Sequence, residues 1–239
     1  MISFPKANKV VITHSGGLDS STALILAVEY YGSDNVISVG YDYGQKQKVE
    51  LQKAQELCNI LKVQRYVLDL SILGDIVKKV SANISDSPIS MPTIKDILAD
   101  PQPSTYIPNR NMILLSITAA FAEANNCDYI FTGIQSTDQY AYWDTTPRFA
   151  EAMNNVLNQN RHKPIQIVAP FAHLSKKQEI EMLIERNKIN LLQYTLTCYN
   201  PDDIGASCGN CPSCSERIKA FMDLGIKDPI DYQINIKWK

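Results

Sequence analysis

The sequence contains no apolar run approaching the roughly 20 residues that a membrane-spanning helix needs. A secretory leader is not expected either: Lys6 and Lys9 precede only the apolar run Val10–Thr13, far too short for the core of a signal peptide. Both absences point to a cytoplasmic chain with no membrane partner. Neither sign of charge is in excess, since 23 basic and 25 acidic residues leave a net charge of -2. That balance argues against an extensive nucleic-acid surface, which needs clustered Lys and Arg, but it allows a local basic pocket around a triphosphate. No repeat or low-complexity tract is visible, and His14, His162 and His173 show no catalytic spacing. The Gly-Lys-Ser/Thr that completes a Walker A loop is also missing.

What is present suits a large α/β enzyme. With 239 residues, 45% hydrophobic and 20% charged, the chain can build a sizeable core in one domain, or in one domain with a small appendage. Strands are predicted at Val10–Thr13, Val36–Tyr41, Arg65–Leu70 and Asp128–Thr132. Helices are predicted at Ser20–Tyr31, Lys46–Leu61, Asn111–Asn125, Phe149–Gln159 and Lys176–Asn187. In the first of them Leu24, Ala27, Val28 and Tyr31 share a face. Residues Ser81–Pro108, rich in Ser, Asp and Pro, read as a long loop with a short helix near Ile94–Leu98. The alternation predicts a doubly wound parallel sheet, in which ligands bind outside the carboxyl ends of the strands. Ser15–Ser20, Tyr41–Gln45 and Gly133–Asp138 fall at such ends.

Ser15-Gly16-Gly17-Leu18-Asp19-Ser20 joins the first predicted strand to the first predicted helix. The paired glycines allow close backbone approach, and the free N–H groups of a helix start attract an anionic phosphate. Ser15 and Ser20 add hydroxyl donors. Asp19 has no use in a bare phosphate cradle, and fits an orienting group or a partner for a Mg²⁺–phosphate unit. A simple tight turn capped by Ser20 or Asp19 is the plainer alternative.

Cys198, Cys208, Cys211 and Cys214 cluster near the C-terminus, with two overlapping Cys-x-x-Cys pairs. A reducing cytoplasm disfavours disulfides. Four thiolates suit a closed tetrahedral Zn²⁺ site, an iron–sulfur cluster also takes four cysteines, and reduced buried thiols are the third possibility. Cys58 and Cys127 stand alone and read as small buried residues. Arg110, after Thr105-Tyr106-Ile107-Pro108-Asn109, can fork onto a carboxylate or phosphate, or can simply be a surface residue of a first helical turn. Lys176 opens a helix and taken alone reads as a solvated lysine. Tyr140, Tyr142, Trp143 and Phe149, beside Asp138 and Asp144, suit the stacking and edge recognition of a purine-like base, or core packing.

The loop resembles the pyrophosphate-binding loop of ATP-splitting enzymes that form adenylates, such as GMP and NAD synthetases, asparagine synthetase and tRNA thiolases. Joined to Asp42-Tyr43-Gly44-Gln45-Lys46 with Glu50, Thr105 to Asn111, Thr132-Gly133 with Asp138, Ser175-Lys176 and the cysteine tail with Arg217, it resembles the 7-cyano-7-deazaguanine synthase (QueC) family over nearly the whole chain. The resemblance implies an adenine nucleotide alpha-hydrolase-like fold. It implies an ATP-binding adenylation domain over 1–190 and a zinc-binding subdomain over 191–239. It further implies a ligase that adenylates 7-carboxy-7-deazaguanine, then forms an amide and a nitrile with ammonia, using ATP, Mg²⁺ and Zn²⁺. By the same resemblance Ser15, Gly16, Gly17, Leu18, Asp19, Ser20 and Gly133 hold nucleotide, and Lys176 and Arg110 counter charge in catalysis. Tyr106, Asn111, Asp138, Tyr142 and Asp144 meet the substrate, the four cysteines bind zinc, and the assembly is a homodimer.

The chain departs from the family pattern in several places. Leu18 stands where the family has Gln, Gln47 where it has His, and Asn109 where it has Gly. Asn is the next most tolerant residue for left-handed backbone. Tyr140-Ala141-Tyr142-Trp143-Asp144-Thr145-Thr146 replaces a stretch carrying Pro, Cys and Arg. That last change motivates an alternative in which the adenylate is captured by an amine of a protein or another molecule and stops at an amide. A tRNA-modifying enzyme with the same loop, and a non-catalytic nucleotide-binding module, are further alternatives.

Overall fold

The computed structural model describes residues 2, 4–92, 100, 102–135 and 142–238. The four predicted strands and five predicted helices all appear, with ends shifted by a few residues. β1 (Val10–Thr13) leads into α1 (Leu18–Tyr31), and β2 (Val36–Asp42) into α2 (Val49–Leu61). β3 (Gln64–Asp69) is followed by a short α3 (Ser71–Val77), and α4 (Arg110–Ala124) by β4 (Tyr129–Thr132). Then come α5 (Pro147–Leu157), β5 (Gln166–Val168), α6 (Lys176–Glu185) and α7 (Pro212–Met222). The expected helix near Ile94–Leu98 lies outside the described residues.

The strands pair in the order β3-β2-β1-β4-β5, and every ladder is parallel. Side chains alternate across β1. Val10 and Ile12 join Leu24, Ile180 and Phe221 on one face, while Val11 joins Leu115, Ile130 and Met153 on the other. Both faces are therefore dry, as a parallel sheet demands, and the fold is doubly wound. The strand order reverses between β1 and β4. The crevice above that reversal is where open α/β sheets take ligands.

α1 differs from an ordinary surface helix, because its residues Leu18 and Ser20 to Ala27 are all buried, against the single face predicted. The cause is that α1 lies between the sheet and the packing of α6 and α7, so it has almost no solvent side. α2 starts at Val49 and not at Lys46, because Lys46 donates its N–H to Asn83 O and Gln45 bridges to Ile84. α7 buries Ala220 and Phe221 in the same core as α1. Beneath it, Arg217 and Asp228 form a fully buried pair at 2.6 and 2.9 Å, closed by Thr195 Oγ1, Leu192 O and the Tyr232 hydroxyl. No described helix is long and apolar enough to cross a membrane.

Candidate active site

One cavity of about 330 Å³ opens at the carboxyl ends of β1, β2 and β4. Its floor is the turn after β1. Gly17, with extended backbone (φ -72°, ψ 168°), caps α1 without a side-chain bond, so the first N–H groups of α1 face the cavity unclaimed by a cap. Ser15 Oγ lies 3.0 Å from Ser20 Oγ and accepts from Gly17 N at 3.2 Å. Gly16 adopts φ +100°, and a Cβ there would meet Glu50 O at 2.4 Å. Opposite, Gly133 after β4 lies so close that a Cβ would come 2.8 Å from Ser20 N. The two glycines thus let the loop pack between α2 and the end of β4.

Of the residues assigned to nucleotide from the sequence, Ser15, Gly17, Asp19, Ser20 and Gly133 line the cavity. Leu18 does not: its side chain is fully buried in the core and anchors the loop from below. His14 also lies beneath the loop, its ring nitrogens 3.0 Å from Ser38 Oγ and Ser21 Oγ. Burial, assisted by Arg65, holds it well below the usual histidine range, so it is a neutral core residue.

Lys176 is buried at the N-terminus of α6, which Ser175 and Gln178 fix through a reciprocal capping box. Its ammonium lies 3.0 Å from Gln135 Oε1, 3.5 Å from Asp19 Oδ2 and 3.7 Å from Glu216 Oε2. Gln135 also bonds to Glu179. The solvated lysine expected from sequence alone is thus a buried cation aimed at the loop. Gln135, Glu179 and Glu216 were missed. Glu179 stands one turn along from Lys176, a spacing that could have suggested it, whereas Glu216 reaches the site only through α7, for which the sequence reading had no helix.

The other half of the cavity is aromatic and polar. Asn109 takes the left-handed conformation (φ 55°) at the N-cap of α4 and turns the chain so that Arg110 and Asn111 face inward. Asp144 is buried and accepts from Asn111 N at 3.2 Å, while its backbone O accepts from Asn111 Nδ2 at 2.9 Å. Burial pushes the Asp144 carboxyl up, and Arg110 opposes it. Burial also works against the Arg110 charge, but Tyr43 and Asp144 more than restore it, so the guanidinium stays a cation. Tyr142 OH lies 2.7 Å from Thr105 Oγ1, and Tyr106 OH accepts from Trp143 Nε1 at 2.8 Å. Asn83, 8% exposed, donates to Thr105 O at 2.7 Å, but its Oδ1 is buried with no hydrogen-bond partner among the described residues. Asp138 and Tyr140 lie outside the described residues.

The four clustered cysteines come together as the sequence suggested. Their sulfurs all lie within 4.8 Å of one another, and Cys208 Sγ is 3.9 Å from Cys214 Sγ. Metal–sulfur bonds of about 2.3 Å in a tetrahedron place sulfurs about 3.8 Å apart, so the donor set fits a closed four-thiolate metal site. Backbone N–H groups of Asn200 and Cys208 point at Cys198 Sγ, both at 3.2 Å, as suits a thiolate acceptor. Cys198 also lines the cavity, so the cysteine cluster forms part of its wall.

The family model described as "Queuosine biosynthesis protein QueC" matches residues 9–225. A 7-cyano-7-deazaguanine synthase of Marinomonas sp. (strain MWYL1) is 35% identical over 95% of this chain and 99% of its own length. The synthase of Caldicellulosiruptor bescii is 32% identical over 96% and 100% of the two chains. One of the two from Colwellia psychrerythraea is 36% identical over 95% and 99%. Among solved structures, the U34-tRNA thiolase NcsA from Methanococcus maripaludis with its 4Fe-4S cluster superposes with a TM-score of 0.51 at 16% identity. That superposition covers 92% of this chain and 66% of NcsA, and it is a likeness of fold.

Proposed function

The chain belongs to the QueC family of queuosine biosynthesis proteins, enzymes of the carbon–nitrogen ligase kind, and on that premise we propose that it adenylates the carboxylate of 7-carboxy-7-deazaguanine with ATP. Ammonia then gives the amide, and a second activation gives the nitrile. The observation that carries this reading is that the loop residues Ser15, Gly17, Asp19 and Ser20 and the aromatic side chains Tyr106 and Tyr142 line one cavity. In it, residues 1–190 supply the ATP-binding body and residues 191–239 a zinc-bearing wall.

Each residue then has a task. Ser15, Gly17, Ser20 and the start of α1 grip the pyrophosphate through N–H and hydroxyl donors. Lys176 sits where charge builds on the phosphates during displacement, and Asp19 orients it or meets a Mg²⁺ that neutralises the triphosphate. Arg110 steers the substrate carboxylate, being the fixed cation of the aromatic half. Tyr106, Asn111, Tyr142 and Asp144 flank the deazaguanine, with Asp138 assigned to the same side from its motif. The orphan Asn83 Oδ1 accepts one of the ring's N–H groups, which supports a ligand with donors on its edge. Cys198, Cys208, Cys211 and Cys214 would hold Zn²⁺ as a structural ion, since four protein thiolates would leave no coordination position open for chemistry.

A second reading keeps the adenylate but changes the amine. Trp143, in the stretch that departs from the family, is 48% exposed between the cavity-lining Tyr142 and Asp144. An exposed aromatic at that point favours contact with a larger acceptor, such as a protein amine. The test is mass spectrometry of the products formed from 7-carboxy-7-deazaguanine, ATP, Mg²⁺ and ammonium. A nitrile supports the first reading. An amide or bare adenylate favours the second. No conversion overturns the substrate.

A further inference from the structure

Four described carboxylates line the cavity: Asp19, Glu50, Asp144 and Glu216. Asp19 and Glu216 pair with Lys176 at 3.5 and 3.7 Å, and Asp144 accepts from Asn111 N and faces Arg110. Glu50 differs. Its carboxylate meets a neutral amide, Gln45 Nε2, at 3.3 Å from Oε1. The charged groups that face it from neighbouring elements are Arg65 on β3 and Arg110 on α4, with Tyr43 beyond the end of β2. These act on Glu50 through space and not as contact ion pairs. Its own helical turn is pressed against the phosphate-binding loop, since Glu50 O abuts Gly16. A carboxylate held by a neutral partner, beside the loop and inside the cavity, is placed to exchange protons with a bound ligand.

We propose that Glu50 is the proton acceptor for the nitrogen-transfer half of the reaction, a role that rests on the adenylation reading above. Burial, the largest influence on this carboxyl, pushes it up to about 7, so it takes and releases protons close to neutral pH. When ammonia attacks the acyl-adenylate carbonyl, a C–N bond forms and the nitrogen becomes cationic. Glu50 removes one of its protons, the C–O bond to AMP breaks, and AMP leaves with the electron pair. The protonated Glu50 then returns the proton to solvent. Conversion of the amide to the nitrile requires the nitrogen to lose both remaining protons as the activated oxygen departs, and the same carboxylate takes them in turn. The neutral amide, and not its N-protonated form, is the stable product, so that proton has to be taken up as AMP departs.

The experiment compares wild type with Glu50→Gln and Glu50→Asp as full-length, metal-loaded proteins. Pyrophosphate–ATP exchange with 7-carboxy-7-deazaguanine reads adenylation, and mass-spectrometric product formation from ammonium at pH 6–9 reads nitrogen transfer. For Glu50→Gln, nitrogen transfer falls about 100-fold relative to exchange, within the usual range for loss of a general base. With rates expressed per free ammonia, the rise of the wild-type rate through pH 7 disappears with it. Hydroxylamine, whose nitrogen is less basic than ammonia's and so gives up its proton to water more readily after attack, narrows the gap, and Glu50→Asp, which keeps a base, restores part of the rate. Equal losses in both assays, or an unchanged pH profile, overturn the assignment. Absence of exchange in the wild type is a separate result: it removes the adenylation reading, and the Glu50 role with it, before any variant is compared.

Discussion

The backbone N–H of Leu196 donates to the carbonyl of Gly16 across 2.8 Å, tying the segment that leads into the cysteine cluster to the loop Ser15–Ser20. Thr197 extends the tie, since its Cγ2 lies 3.2 Å from where a Gly17 Cβ would stand. Cys198 follows directly, so the metal site and the loop share one short stretch of backbone.

Loss of the metal is therefore expected to be felt by nucleotide. A chelator-stripped protein, or Cys208→Ser, frees Cys198 and with it the Leu196–Gly16 bond. One such bond contributes about 1 kcal/mol net, equivalent to roughly a fivefold change in affinity. Titration calorimetry should show ATP binding weakened by about that factor or more. Unchanged ATP affinity in the stripped protein would separate the two sites.

The loop, the cysteine cluster and the alternating sheet were legible in the sequence because each is local: two glycines, overlapping Cys-x-x-Cys pairs, and apolar runs with helices between. Asn109 was legible for the same reason, being a residue type that tolerates φ 55°. β5 was not, since its three residues carry too short a pattern. Lys176 read as solvated because what surrounds it comes from Asp19, Gln135 and Glu216, which are brought together by three separate elements. The environment of Glu50 depends likewise on Arg65, Arg110 and Gln45, and no spacing within α2 reports it.

Gly133→Ala tests the close approach of β4 to the loop. The added Cβ would fall 2.8 Å from Ser20 N and 3.0 Å from Asp19 C, backbone atoms that cannot swing aside. The loop must shift by several tenths of an ångström, and positioning errors of that order are costly to catalysis. Exchange activity should fall by up to about 100-fold, and the overpacking against backbone should also cost about 1–3 kcal/mol of stability. Full activity in Gly133→Ala would mean that the loop is not held at this distance during turnover.

Lys176→Met keeps the length of the side chain and removes its charge. Asp19 and Glu216 then lose their shared cation, and the loop loses the counter-charge that phosphate displacement requires. Removing a single preorganised electrostatic group typically slows the chemical step by about 100- to 1,000-fold. The fall should appear in kcat for pyrophosphate exchange more than in ATP affinity. A variant that lost only binding would mean that Lys176 holds the ground state.

Asp228→Asn addresses the buried Arg217. The guanidinium is 1% exposed, and Asp228 is its sole carboxylate partner among the described residues. Leaving a buried cation uncompensated costs about 3–5 kcal/mol. Denaturant unfolding should show a loss of that size, and the double variant Arg217→Met with Asp228→Asn should recover part of it. A loss below about 1 kcal/mol would mean that water reaches the arginine.

The Glu50 carboxyl makes a further prediction, about stability and not rate. Burial raises it from 4.5 to about 7. Between those values the folded protein holds a proton that the unfolded chain has released, so stability falls as pH rises through this window. The cost is absent below about 4.5 and complete above about 7. Glu50→Gln has no such proton to lose. The difference in thermal midpoint, variant minus wild type, should therefore grow in the variant's favour from pH 5 to pH 7.5 and then level off. Other titrating groups cancel in that difference, which isolates Glu50. A difference constant across the range would place the carboxyl in contact with solvent or with a cation, and would remove the reason for it to act as a base near neutral pH.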